Sequence, residues 1–169
     1  MPLSGKTVVA EMMEDHGYTL LDMGDVVRIE MEKRNVPAGN EGEFVNSLRE
    51  EHGMDAVARL SVPYLEEVLD EKDRVVITGM RSWDEKQLFE KETGETLGVI
   101  AVWASRETRK KRREDRKREE DVKGQGFHDR DLREIGNGVG KLMALSDHMI
   151  QNDSITMEEL EHEVEKVVV

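Results

Sequence analysis

No cysteine occurs in the 169 residues, so the chain has neither a disulfide framework nor a thiolate zinc site. That fits a cytoplasmic protein. No apolar run is long enough to span a bilayer, and no apolar stretch of the secretory-signal kind follows Met1. Positive charge is in deficit. The formal net charge is -13, which argues against a dedicated nucleic-acid coat and suits a protein kept soluble in concentrated salt. Aromatic residues are scarce too, and the one basic block contains none, which removes the stacking platforms that single-stranded nucleic acids use. His16, His52, His128, His148 and His162 show no metal-ligand spacing. What is present is a chain of single-domain length, residues 1–169, able to bury a sizeable core.

Apolar runs alternate with helical patterns. Helices are expected at 6–16, 25–35, 43–51, 55–69, 83–93, 105–118, 129–135 and 156–167. Strands are expected at 18–22, 74–78, 97–103 and 148–151. The helical period continues across Pro63, which predicts a kink rather than a stop. Val75-Val76-Ile77 reads as a strand buried on both faces. Residues 119–128 read as a mobile loop. Thr156 and Glu159 have the spacing of a capping box. Alternation of this kind implies α/β architecture, with a parallel sheet between layers of helices.

The opening Met1-Pro2-Leu3-Ser4-Gly5-Lys6-Thr7 is most of a phosphate-binding loop, G-x-x-x-x-G-K-[ST]. Glycines let backbone N–H groups turn inward around phosphates, and the following helix adds the positive end of its dipole. In that pattern Lys6 reaches the β- and γ-phosphates and Thr7 holds Mg²⁺. The alternative is an ordinary helix start at Gly5-Lys6-Thr7. The pattern's first glycine and the strand before it are absent from this sequence. The expectation is therefore that a short apolar strand ending in glycine precedes Met1 in the natural chain. Loss of four or five buried apolar side chains costs roughly 6–12 kcal/mol, so the chain as written is expected to fold poorly.

Gly24-Asp25-Val26-Val27-Arg28 follows the second expected element, and Gly79-Met80-Arg81-Ser82 follows the Val75–Thr78 run. Read without further context, Asp25 and Arg28 are a surface ion pair at i, i+3. Arg81, just past a strand's carboxyl end, sits where open α/β sheets bind ligands. Residues 106–118 form the only basic block. Its charges serve a ligand, a nucleic-acid backbone, or neighbouring acids such as Glu114, Glu119 and Glu120. Asp129-Arg130-Asp131-Leu132-Arg133-Glu134-Ile135-Gly136-Asn137-Gly138 follows, and then Asn152 after the last strand.

The Gly24–Arg28 and Gly79–Ser82 elements resemble those of nucleoside monophosphate kinases. The whole order resembles the archaeal UPF0200 group of P-loop proteins, related to dephospho-coenzyme A kinases and adenylate kinases. That resemblance covers essentially the whole chain. It implies a three-layer P-loop fold of the nucleoside monophosphate kinase kind, with the first strand missing here. It implies ATP and Mg²⁺ as cofactors, with Met1–Thr7 as the nucleotide loop. It makes Arg28 and Arg81 contacts to an acceptor phosphate. A lid over about 105–140 would offer Arg109, Arg113, Arg116 and Arg118 to the transferring phosphates, and Asn152 would lie near the adenine, the alternative being an Asn that caps the next helix or turns the chain. The implied reaction is γ-phosphoryl transfer to a small acceptor, a nucleoside monophosphate or a dephospho-coenzyme A-like molecule. Asp25 is the nearest candidate for a base. The family often carries Asp where this chain has Thr78. That departure favours a second reading, a non-catalytic nucleotide sensor or partner-dependent ATPase. Nucleic-acid binding through 106–118 is the weakest of the three.

Overall fold

The computed structural model describes residues 1–116 and 126–168, with the Arg116 side chain left out. They form two compact units, one of Met1–His16 with Gly98–Val169, the other of Gly17–Leu97.

The Gly17–Leu97 unit contains β1 (Thr19–Asp22), α2 (Met23–Lys33), α3 (Glu41–His52), α4 (Ala56–Leu69), β2 (Val75–Thr78) and α5 (Trp83–Thr93). Strands β1 and β2 are parallel, with Thr19 opposite Val75 and Asp22 opposite Thr78. Their connection runs through three helices, as a parallel pair requires. Met23, Val26, Val27 and Met31 share one side of α2. They pack into a core with Val57, Ala58, Leu65, Leu88 and Phe89. Helix α4 runs on through Pro63. Helix α5 starts at a capping box in which Ser82 accepts from the Glu85 amide and Glu85 returns a bond to the Ser82 amide.

One expectation fails here. All four residues of β2 are half-buried rather than enclosed. Among the described residues β2 has a single strand neighbour, β1, so its outer edge has no strand against it.

The other unit contains α1 (Lys6–Asp15), β3 (Ile100–Trp103), α6 (Arg106–Arg116), α7 (Phe127–Gly136), α8 (Val139–Ala144), β4 (His148–Gln151) and α9 (Met157–Val168). Strands β3 and β4 are parallel, Ile100 opposite His148 and Trp103 opposite Gln151. Helix α1 packs on α9, burying Val9, Ala10 and Met13 on one side and Leu160, Val164 and Val168 on the other. The α9 capping box is formed: the Thr156 amide donates to Glu159 at 2.7 Å, and the Glu159 amide to Thr156 Oγ1 at 3.2 Å.

Most boundaries shift by one or two residues from the sequence pattern, and three departures have a local cause or consequence. Strand β3 starts at Ile100, because Gly98 interrupts the apolar run. Helix α7 starts at Phe127, so residues 127 and 128 are helical rather than loop. Helix α8 was not anticipated. Gly138, at φ +106°, turns the chain into a new helix instead of merely ending the previous one. The rest of the expected loop at 119–128, together with Arg118, lies outside the described residues, apart from Gly126.

Candidate functional site

The phosphate-loop residues lead into the N-terminus of α1. Leu3 has φ +62° and Gly5 φ +98°, so two left-handed residues bend the chain within three positions. A left-handed non-glycine residue costs of order 1–3 kcal/mol and persists only where its surroundings enforce it. Here they do. Arg112 Nη1 donates to the carbonyls of Leu3 (3.2 Å) and Ser4 (3.3 Å), and Asn152 Nδ2 donates to the Ser4 carbonyl at 2.9 Å. The carbonyls of the loop are thus held by a guanidinium and an amide. The first four N–H groups of a helix have no partner within it. Helix α1 has no side-chain cap and no acid in its first turn. Lys6 and Thr7 are exposed in that turn.

These residues fit a phosphate group. The helix N-terminus presents N–H donors and a positive dipole end. The Ser4 hydroxyl is buried and makes no hydrogen bond with the protein. A buried polar atom of that kind calls for a partner.

Asn152 is engaged by the protein itself. It is 6% exposed, its amide nitrogen is bonded to the loop, and its Oδ1 accepts from Arg112 Nη2 at 3.1 Å. Its backbone N–H donates to the Trp103 carbonyl at 2.7 Å, which fixes it to the end of β3. Both ends of the side chain are engaged by protein, so it braces the loop.

Arg109 is likewise drawn inward. Its guanidinium forms a two-pronged pair with Asp131 of α7, at 2.7 and 2.8 Å, and donates to the Ala104 and Pro2 carbonyls. The Phe127 ring lies 5.1 Å from it. Burial pushes the Asp131 carboxyl up, but the Arg109 hydrogen bonds and charge outweigh it, and the net shift is downward. Helix α6 is fixed at its start as well, where Asp153 accepts from the Ser105 amide and hydroxyl. Arg113 belongs to the described part of α6, whereas the Arg116 side chain is outside it. The lid expected over about 105–140 includes residues 117–125, which are outside the described residues.

In the other unit, the carboxyl ends of β1 and β2 carry the remaining sequence candidates. Asp22 closes β1 and caps α2, accepting from the amides of Gly24 (2.7 Å) and Asp25 (3.1 Å). Its second oxygen accepts the Thr78 hydroxyl at 2.7 Å. The acid absent from the end of β2 therefore has a neighbour of the needed charge on β1, in register with it. A Cβ on Gly24 would lie 2.7 Å from Asp22 Oδ1, so a side chain there would displace the capping carboxylate. Arg28 is exposed and paired with Asp25, the candidate base. Arg81 follows Gly79, at φ +90°. Its amide donates to the buried Glu85 carboxylate at 2.6 Å, and the Ser82 amide does so at 3.0 Å. Burial raises the Glu85 carboxyl above the ordinary range, opposed by those two amides and by Arg49 at 3.7 Å.

Asp22, Glu85, Arg112 and Asp131 were not singled out by sequence reasoning. For Asp22 a signal existed, because an Asp before Met23-Gly24-Asp25 has N-cap spacing. For Glu85 one existed too, because Ser82 and Glu85 have capping-box spacing. Arg112 and Asp131 act through partners distant in the sequence.

Among the described residues no helix is long and apolar enough to cross a membrane. Residues 1–125 match the AAA domain family. The chain is 39% identical over 172 residues to a UPF0200 protein of Pyrococcus horikoshii, covering 99% of this chain and 92% of the relative. It is 38% identical over 153 residues to one of Halobacterium salinarum, covering 90% of this chain and 80% of that one. It is 37% identical over 156 residues to one of Methanocaldococcus jannaschii, covering 90% and 78%. The two units, with their parallel strands and helical connections, are the α/β build expected of a P-loop domain, the class that binds nucleotides. By similarity over nearly its whole length, the chain belongs to the UPF0200 family and carries a P-loop domain of the AAA type.

Proposed function

We propose that the protein binds ATP with Mg²⁺ at Met1–Thr7 and transfers the γ-phosphoryl group to a small acceptor, a nucleoside monophosphate or a dephospho-coenzyme A-like molecule. The observation that carries this is the loop itself: two left-handed residues with braced carbonyls, a buried hydroxyl without a protein partner, and an uncapped helix N-terminus. Lys6 neutralises phosphate charge and Thr7 holds the metal through its hydroxyl. Mg²⁺, when bound, neutralises the β- and γ-phosphate oxygens. Arg28 and Arg81 hold the acceptor phosphate, and Arg116 serves the transferring group. Catalysis of this type is mostly positioning and charge neutralisation.

The second reading is a nucleotide sensor or partner-dependent ATPase without transfer of its own. Thr78 favours it, since its hydroxyl is turned to Asp22 in place of a carboxylate at that strand end. Nucleic-acid binding loses ground, because Arg109 and Arg112 of the basic block are occupied inside the protein.

Calorimetry with ATP and Mg²⁺, followed by an acceptor panel with product detection, tests the proposal. Binding together with a phosphorylated acceptor supports the kinase. Binding without transfer to any acceptor supports the sensor. No binding by the wild type refutes both, and binding left unchanged in Lys6→Ala refutes Met1–Thr7 as the nucleotide site.

A further inference from the structure

We infer that Arg112 and Asn152 are positioning residues for nucleotide binding, holding the loop in its phosphate-receiving shape without touching the nucleotide. This rests on the ATP reading above.

A loop that receives phosphate must turn its carbonyl oxygens away, because they carry partial negative charge, and leave its N–H groups toward the anion. In this chain that orientation is enforced from one side. One guanidinium reaches four acceptors: the carbonyls of Leu3, Ser4 and Asn152, and Asn152 Oδ1. The Asn152 amide closes the triangle on the Ser4 carbonyl. Gly5 completes it by absence, since a Cβ there would stand 2.1 Å from Asn152 Nδ2. The brace is itself anchored. Asn152 hangs from the end of β3 through its backbone, and Arg112 is carried by α6, which Asp153 fixes at its start and Asp131 in its middle. Arginine suits this place because its planar fork can serve several acceptors at once, whereas a lysine ammonium is a single point of charge.

The printed bonds of both guanidinium Nη atoms and of the Asn152 amide end on the loop carbonyls and on Asn152 itself, so the brace acts on affinity through loop shape. Loss of Arg112 frees the carbonyls of Leu3 and Ser4 to rotate, and the left-handed Leu3 relaxes. Ligands that use the loop then suffer, and ligands that do not are spared.

The test compares wild type, Arg112→Ala, Arg112→Lys and Asn152→Ala by calorimetry with ATP·Mg²⁺ and with pyrophosphate·Mg²⁺. Thermal midpoints are measured without ligand to confirm that each variant is folded, and Arg112→Lys is the milder variant should Arg112→Ala fail to fold. The expected result is an affinity loss of about tenfold or more in folded variants, for both ligands alike. Methylguanidinium added to Arg112→Ala is expected to restore part of it, a recovery that a merely structural defect would not show. Folded variants that bind both ligands as tightly as wild type overturn the proposal. A wild type that binds neither ligand overturns the ATP reading and this inference with it, and is distinguishable from the former outcome.

Discussion

Gly5→Ala tests the interlock most directly. The substitution has two separable costs. Gly5 sits at φ +98°, where an L-residue is disfavoured by roughly 1–2 kcal/mol. The new methyl would also lie 2.1 Å from Asn152 Nδ2 and 3.4 Å from its Cγ. The neighbour must therefore move. Moving it breaks the 2.9 Å bond to the Ser4 carbonyl and disturbs the 3.1 Å bond from Arg112. Leaving such groups unsatisfied costs about 1–3 kcal/mol. The total is about 2–5 kcal/mol, a large part of a typical stability of 5–15 kcal/mol. Urea denaturation of four proteins reads it: wild type, Gly5→Ala, Asn152→Ala and the double variant. With Asn152 reduced to alanine the methyl has nothing to strike, and only the backbone cost of about 1–2 kcal/mol remains. The two substitutions should therefore couple by about 1–3 kcal/mol. Equal costs of Gly5→Ala in the two backgrounds would falsify the interlock.

Four further outcomes are expected. Asp131→Ala strands the buried Arg109 charge and should cost about 3–5 kcal/mol in chemical denaturation, while a paired Arg109→Met, Asp131→Leu replacement should recover much of it. Because the folded Asp131 carboxyl is shifted down, its stabilisation is full above the ordinary aspartate range and is lost as pH falls through its folded value; stability of Asp131→Asn followed against pH should lack that acid limb. Glu85 should show the opposite slope: burial raises its carboxyl, so its contribution is full below the ordinary glutamate range and is lost as pH rises through the raised value, and the stability margin of wild type over Glu85→Gln should shrink with rising pH. Thr78→Val removes the hydroxyl donated to Asp22 and should cost about 1 kcal/mol in thermal or urea unfolding; no change would mean that the cross-strand bond adds nothing.

The parts of the fold legible in the sequence are those with local causes. Helix α9 begins where Thr156 and Glu159 pair, and α5 runs from Trp83 to Thr93 as its pattern indicates. Both depend on residues three or four apart. The failures depend on context. A run such as Val75–Ile77 reads the same whether its faces are fully or partly covered, and here all of β2 is half-buried. The glycines at 136 and 138 read as a stop, yet Gly138 opens α8. In the site, the loop and the strand-end arginines were readable as motifs. The brace was not, because Arg112 and Ser4 are 108 positions apart and Asn152 and Ser4 are 148 apart. Nor could charge pattern alone tell which members of the basic block turn inward. Arg109 and Arg112 lie three residues apart on one side of α6, and only the partners Asp131 and Asn152 give that side its meaning.

The left-handed turn at Gly5 and the amide that fills the space beside it have a consequence for how this chain can change. Gly5, Arg112 and Asn152 behave as one heritable unit. A side chain enters at position 5 without displacing the amide only after position 152 has shrunk, and a shrunken 152 leaves Arg112 with one acceptor fewer, the Oδ1. Each single step passes through a poorer loop, so drift at these three positions should be slower than at the exposed residues of the same helix.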